Sequence, residues 1–196
     1  SGAEDLVPEL NPDLNSNITI YRPRIEGLFA RIERIDDNGN MFWKIRTKEN
    51  IVSVFGQSNE AKLFSPVHGE EYKVFKWCLE FSYDDKGNFT KYIYKKENDD
   101  NVPSSLYEEN RKNGNAPFTN LHLKKVLYGN KVAWYEEDGK PFPNDYLFEL
   151  IFDFGEHDKD KPTTQEIVKW EQRHDPFSDY RSGFEIRTYR LCQSIL

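Results

Sequence analysis

Three short stretches of the chain carry side chains able to do chemistry. Glu156-His157-Asp158 offers two carboxylates and an imidazole, the donor types of a zinc or transition-metal site. His174, Asp175 and Ser178 supply the residue types of a hydrolytic triad. Arg187 and Arg190, close to Glu185, could bind an anion or pair with acids across strands. The spacing favours a plainer reading of each. Adjacent residues on an extended chain point in different directions, so Glu156, His157 and Asp158 read as a solvated turn with an Asp or His cap. Triads are assembled from separated segments around an oxyanion hole, whereas His174 to Ser178 crowd into five positions and Asp175-Pro176 reads as the start of a turn. Arg187 and Arg190 are expected to face acids across a sheet. Trp43, Trp77, Trp134 and Trp170 could stack on sugars, but on alternating strands they are expected to be core. The chain contains no Walker loop, no GxGxxG after a strand, no HExxH and no Gly-x-Ser-x-Gly. No catalytic residue, metal ligand or cofactor is assigned, and no enzyme is expected.

The elements that must position these residues read as β-structure. From Tyr21 onward, apolar and polar residues alternate between turns rich in Asn, Asp and Gly, the pattern of antiparallel strands and hairpins. Met41, Trp43 and Ile45 are expected to face a core with Phe42, Lys44 and Arg46 opposite. Phe75, Trp77, Leu79, Phe81 and Tyr83 form a second such face, away from Lys76, Cys78, Glu80 and Ser82. Asp37-Asn38-Gly39-Asn40, Asp85-Lys86-Gly87-Asn88, Tyr128-Gly129-Asn130 and Glu137-Asp138-Gly139-Lys140 each read as a turn joining two hairpin strands. Residues 147–154 are apolar on both faces and predict a central strand. Two segments resist a β reading: Ser105 with Glu108, and Thr163 with Glu166, could each cap a short helix. The fold class is therefore mainly β, antiparallel hairpins and meanders forming a curved sheet or sandwich-like module, with one or two short helices in loops.

A net charge of −7 over 196 residues, with no clustered basic face, argues against a nucleic-acid backbone as partner. No apolar run is long enough to span a membrane, and the start lacks the basic and apolar regions of a Sec signal. Residues 1–20, with Pro8 and Pro12, read as an extended lead-in whose first residues, Ser1-Gly2-Ala3, look tag-derived; residues 21–196 read as one β module. The apolar ending Cys192-Gln193-Ser194-Ile195-Leu196 suggests truncation within a strand, and exposed edges are expected along residues 184–196. Cys78 and Cys192, each in a predicted strand, are expected to be buried thiols.

The longest motif, Asp175-Pro176-Phe177-Ser178-Asp179-Tyr180-Arg181-Ser182-Gly183-Phe184-Glu185-Ile186-Arg187-Thr188-Tyr189-Arg190-Leu191-Cys192, resembles the N-terminal region of SpvB-type virulence proteins and of the B component of Tc insecticidal toxin complexes. Four further pieces resemble that family in order. They are Phe55-Gly56-Gln57-Ser58 with Ala61-Lys62-Leu63; Lys76-Trp77-Cys78-Leu79-Glu80 with the YD-like Tyr83-Asp84 and Gly87-Asn88; residues 121–130 ending Tyr128-Gly129-Asn130; and Phe152-Asp153-Phe154-Gly155-Glu156-His157.

The resemblance implies a structural module of a shell that encapsulates or presents a toxin, rather than a reaction. Its partners would be the β-propeller and YD-repeat shell of its own chain, then the C and A components of a toxin complex. It would act secreted or extracellular, after a cytoplasmic stage before export. The transferase activity of SpvB-type proteins is not carried over, since neither Ser-Thr-Ser nor Glu-x-Glu occurs here. The alternative is a surface module that binds carbohydrate or protein through exposed aromatics.

Overall fold

The structure, a computed structural model, describes residues 4–9, 17–25, 27, 29–70, 73–113 and 118–196. The Ser1-Gly2-Ala3 reading lies outside these residues, as do parts of the lead-in and of the polar excursion over residues 98–120. Fourteen strands lie among the described residues: β1 (Leu6–Pro8), β2 (Ile18–Pro23), β3 (Ala30–Asp37), β4 (Asn40–Thr47), β5 (Val52–Phe55), β6 (Lys62–Phe64), β7 (Val74–Trp77), β8 (Leu79–Tyr83), β9 (Phe89–Lys96), β10 (Leu121–Asn130), β11 (Tyr146–Asp153), β12 (Phe177–Asp179), β13 (Ile186–Thr188) and β14 (Ser194–Ile195). One helix, α1 (Leu106–Asn113), lies between β9 and β10. Ten strands form one sheet in the order β1-β2-β3-β4-β5-β8-β9-β10-β11-β14, while β6 pairs with β7 and β12 with β13. The expected mainly β architecture is thus present.

The chain divides into two compact units, one of residues 1–61, 77–92 and 127–148, the other of residues 62–76, 93–126 and 149–196. The first is held by an aromatic core. Phe42, Val52, Val54, Phe81, Tyr83, Phe89 and Trp134 are buried together. Phe81 stacks on Phe89 at 5.4 Å, and the Trp134 ring stands edge-on to Phe89 at 5.1 Å and to Tyr83 at 5.0 Å. Such pairings add to the gain from burial alone. Here the periodicity picked the wrong side of β4: Phe42 enters this core, whereas Met41, Trp43 and Ile45 lie half-buried on the opposite face. Phe42 is the one large apolar residue on a face it shares with Lys44 and Arg46, so alternation pointed to the other side, and the burial of Phe42 comes from partners elsewhere in the chain.

The second expected strand face breaks in two. At Cys78 the chain changes partners: the Cys78 N–H donates to the Ala61 carbonyl and the Cys78 carbonyl accepts from the Gly56 N–H. β7 therefore pairs with β6 and β8 with β5, with a register shift at Val54/Phe55. Cys78 is buried, as expected, but Cys192 is exposed, outside any strand. The segment of residues 184–196 is likewise not one strand. Tyr189 and Arg190 turn inward between β13 and β14, leaving only the two residues of β14 at the sheet edge.

Two of the four expected hairpin turns close hairpins, between β3 and β4 and between β8 and β9. Tyr128-Gly129-Asn130 instead ends β10, and Glu137-Asp138-Gly139-Lys140 lies within the long loop leading to β11. Residues 147–154 are not a central strand, because β11 has only the short β14 beyond it and its first half is exposed. α1 forms where Ser105 and Glu108 suggested, but without their capping bonds: Ser105 Oγ has no partner, and Glu108 bonds elsewhere. No helix follows Thr163. Strand pairing also begins earlier than alternation indicated, at β1 against β2.

Gly39 and Gly87 both adopt positive φ, at 88° and 85°, in the two hairpin turns. A Cβ on Gly39 would meet open space, whereas one on Gly87 would lie 2.6 Å from the Ala133 Cβ. Gly39→Ala is expected to cost only the left-handed penalty of about 1–2 kcal/mol, and Gly87→Ala measurably more. Urea unfolding of the two variants checks this, and equal losses would contradict the packing at Ala133.

Candidate functional site

The family-motif residues fall into two sets. In the first unit, Asp84 Oδ1 accepts the N–H groups of Lys86 and Asn88, each at 2.9 Å, and its Oδ2 accepts the Asn88 side-chain amide. Asn130 then clasps the hairpin: its Oδ1 accepts the Phe89 N–H at 2.8 Å, and its Nδ2 donates to the Gly87 and Val132 carbonyls. Tyr83 donates to Glu136, Trp77 donates to the Met41 carbonyl, and Tyr128 stacks on Phe148 beside Gly129. Burial first, then the Glu136 carboxylate, pushes the Tyr83 hydroxyl far above its ordinary pKa. These residues fix turns and the packing around them.

In the second unit the ionisable residues converge. Period two puts Lys95 and Glu97 on one side of the β9 strand and its extension, and His122 and Lys124 on one side of β10. The turn after β11 supplies the matching groups. Asp153 Oδ1 accepts the N–H groups of Gly155 (2.8 Å), Glu156 (2.9 Å) and His157 (3.2 Å), and Ser194 donates to Oδ2. That closed turn aims both Glu156 and His157 inward, so the expectation of a solvated turn is overturned: Glu156 is 0% exposed. Adjacent residues do converge here, because the turn rotates the backbone between them.

Glu156 accepts from Lys95 at 2.8 Å, from Lys124 at 3.0 Å and from the Phe154 N–H at 2.8 Å. Burial raises the Glu156 pKa, but these donors outweigh it and hold the carboxyl below its ordinary range. Asp153 is depressed in the same way, its turn N–H groups outweighing burial. His157 Nδ1 lies 2.8 Å from the Thr163 carbonyl and Nε2 3.1 Å from Lys124 Nζ. A carbonyl only accepts and an ammonium only donates, so the tautomer that satisfies both carries its proton on Nδ1.

Asp153, Glu156 and His157 have ligand atoms within 4.8 Å of one another, which is metal-site spacing. Their lone pairs are already engaged by four backbone N–H groups, a hydroxyl and two ammonium groups. Lys124 Nζ, bonded to Glu156, His157 and the Phe152 carbonyl, supplies the cation this cluster requires.

Arg190 is the centre of a second cluster and is 2% exposed. Its Nε donates to Glu97 at 2.7 Å, Nη1 to the carbonyls of Asp100 and Trp170, and Nη2 to the carbonyl and side chain of Asn98. All five donors are thereby used. The guanidinium lies 4.3 Å from the centroid of Trp170, itself 0% exposed, and Glu97 also contacts His122 at 2.9 Å.

A third cluster anchors α1. Glu108, buried on the helix, accepts from Arg187 at 3.1 Å and from the Tyr189 hydroxyl. Arg111 forks onto Glu185, which also accepts from Ser178 and Tyr180. Burial raises the Glu185 pKa, yet Ser178 and Arg111 prevail and hold it low. The charge partners of Arg187 and Arg190 thus come from the helix and the loop after β9, not from a facing strand; Arg187 sits opposite Ser178 in the β12–β13 register. Thr188 accepts from Asn120, Phe184 meets Phe75 edge-on, and the Gly183 N–H closes the turn onto Tyr180.

No hydrogen bond among the described residues assembles a triad. Asp175 is held by Arg173, next to Pro176 and Phe177, and Ser178 by Glu185. Trp134 and Trp170 are buried, as the core reading expected, and Trp43 and Trp77 are half-buried against one another. Sequence does not single out Lys95, Glu97, His122 or Lys124, and it marks Glu108 only as a helix cap. Alternating polar residues on a strand read as a solvent face until their partners are known.

The chain matches the family model SpvB, Salmonella virulence plasmid 65kDa B protein, over residues 2–196. It is 33% identical over 187 residues to mono(ADP-ribosyl)transferase SpvB of Salmonella typhimurium and of Salmonella choleraesuis, covering 91% of this chain and 31% of those relatives. It therefore spans about a third of the length of the curated relatives it matches. Among solved structures it resembles the N-terminal domain of effector protein SpvB from Salmonella typhimurium, at TM-score 0.84 and 30% identity over 98% of this chain and 66% of that one. It also resembles TcdB2-TccC3, at TM-score 0.78 and 30% identity, and the Photorhabdus luminescens Tc holotoxin pore, at 0.79 and 31%; these cover 99% of this chain and 10% and 9% of those chains.

Arg190→Met is expected to lower the unfolding free energy by about 3–5 kcal/mol, since it strands a buried Glu97 charge. Adding Glu97→Gln should recover only part of that loss, because the carbonyls of Asn98, Asp100 and Trp170 have also lost their donor. Denaturant titration of both variants measures the difference. Because Asp153, Glu156 and Glu185 are depressed in the folded state, their stabilisation is complete above the unfolded carboxylate value and disappears as pH falls through the folded one. Thermal stability should therefore decline below about pH 4.5, and decline less steeply in Glu156→Gln.

Proposed function

The chain belongs to the SpvB family, and from that premise we propose that it is a non-catalytic structural module. It contributes β-sheet to a shell that encapsulates or presents a toxin, in a protein of the Tc B-component or SpvB type. The observation that carries this reading is that one fold recurs over nearly the whole chain in two settings, the N-terminal domain of an effector and a small part of TcdB2-TccC3. A region common to parents that differ so much in the rest of their length is better suited to holding a structure than to performing one parent's reaction. The buried ionic clusters support it, because their donors and acceptors satisfy each other.

Its partners are then the remainder of its own chain, a β-propeller and a YD-repeat shell, and through them the C and A components of a toxin complex. It acts outside the producing cell, after a cytoplasmic stage before export. The family-motif residues, from Trp77 to Cys192, serve as turn clasps and internal ion pairs. To test this, the full-length protein would be co-expressed with its C component, with and without residues 21–196, and the cargo challenged with protease. Cargo shielded by the intact protein and digested after the deletion is the expected result. Equal shielding in both would overturn the structural role.

A further inference from the structure

A row of arginines crosses the first unit. The register sets Arg31 directly opposite Arg46 across β3 and β4. On β2, Tyr21 lies opposite Ile32, so Arg22, the next residue, shares the face of Arg31. The three are widely spaced in sequence, which is why no basic cluster shows there. Like charges facing one another on a sheet repel unless an anion lies between them. Glu33 takes only the Nε of Arg31, at 2.6 Å, and Arg46 reaches Glu136 only at 4.0 Å. Among the described residues, the side chain of Arg22 makes no hydrogen bond or ion pair, and the terminal N–H groups of Arg31 make no hydrogen bond.

Arg22 and Arg31 line one cavity of about 440 Å³, with Tyr21 and Phe29 among its walls and Glu9, just after β1, at its rim. Both arginines are exposed, Arg31 over 60% of its side chain. The other end of the row shows what such a surface selects. Glu136, carried on the irregular loop between β10 and β11, accepts from Lys44 at 2.5 Å and from the Tyr83 hydroxyl at 2.6 Å. Lys44 shares the face of Arg46. A carboxylate on a segment outside the sheet, seated between cations and an aromatic residue, is therefore a ligand this face already binds from within. The Arg22–Arg31 end offers the same chemistry, guanidinium groups beside aromatic rings.

We propose that this cavity docks a partner polypeptide through one carboxylate, which bridges Arg22 and Arg31 while its apolar neighbours pack on Tyr21 and Phe29. Two acids decide the class of partner. Glu9 and Glu33 flank the arginines, so a polymer charged at every unit, such as a sulfated polysaccharide, is repelled on either side and by a chain of net charge −7. A single Glu or Asp on an otherwise neutral segment meets only the arginines. Docking here is independent of the shell role, which cargo shielding tests separately.

The 196-residue chain, titrated with the peptide acetyl-Leu-Ser-Glu-Leu-Ser-amide and followed by NMR at the guanidinium Nε–H resonances, tests the assignment. Saturable shifts of Arg22 and Arg31 are expected, with binding at least about threefold weaker when Gln replaces Glu in the peptide. Arg22→Gln should weaken the Glu peptide by a similar factor. Arg181→Gln, which removes the same charge from an exposed arginine of the second unit, should leave it unchanged. Absence of shifts at both arginines overturns the proposal, and so does equal binding of the Glu and Gln peptides. Equal losses in the two variants also overturn it, by assigning the effect to net charge. Tighter binding of a heparin disaccharide than of the Glu peptide overturns it as well, and gives the cavity to glycans. If Arg22→Gln disturbs the fold, the comparison of Glu and Gln peptides on the unaltered chain still decides.

Discussion

The second unit depends on one constraint: a charge removed from water must find its counterpart inside. Glu97, Glu108, Glu156, Lys124 and Arg190 are all buried. An isolated ion in such a place costs several kcal/mol, so removing either partner of a pair is expected to be strongly destabilising. Three clusters meet this condition, around Lys124, Arg190 and Glu108, each drawing from segments far apart in sequence. The short strands and irregular loops between them contribute little regular hydrogen bonding of their own, so the clusters set the path of the chain from Phe154 to Tyr189.

The first unit is organised differently. Its core is aromatic, and its polar residues work at the turns, where Asp84 gathers the N–H groups of one hairpin and Asn130 joins that hairpin to the end of β10. Tyr83 belongs to both systems, its ring in the core and its hydroxyl on Glu136. The contrast explains why the family motifs look unlike one another: Tyr-Asp and Tyr-Gly-Asn pieces secure turns, whereas the Phe-Asp-Phe-Gly-Glu-His and Glu-Ile-Arg-Thr-Tyr-Arg pieces supply interior ions.

What could be read in advance followed from local rules. Alternation and turn residues found most strands and the β3–β4 and β8–β9 hairpins, because strand period and positive φ are properties of a few consecutive residues. In β4 the more apolar face was not the one that closed the core, because Phe42, alone among Lys44 and Arg46, joins Tyr83 and Trp134 from other parts of the chain. The site was less legible still. Glu156 and His157 looked like a surface turn, since nothing near them in sequence indicates that Lys95 and Lys124 wait on the neighbouring strands. The capping box at Ser105 failed for the same reason: Glu108 bonds to Tyr189 and Arg187 instead of reaching back to its own helix.

The Arg190 fork also orders events during synthesis. Glu97 is made 93 residues before the guanidinium that neutralises it, and Glu108 is made 81 residues before Tyr189. A nascent chain that has not yet emerged beyond Arg190 carries acids whose native positions are uncompensated, so it gains nothing by closing the second unit early. Glu97 and Glu108 gain Arg190, Arg187 and Tyr189 as partners only when the last motif is available. A polypeptide cut short before that point keeps the unit open, exposed to the proteases that clear unfinished products.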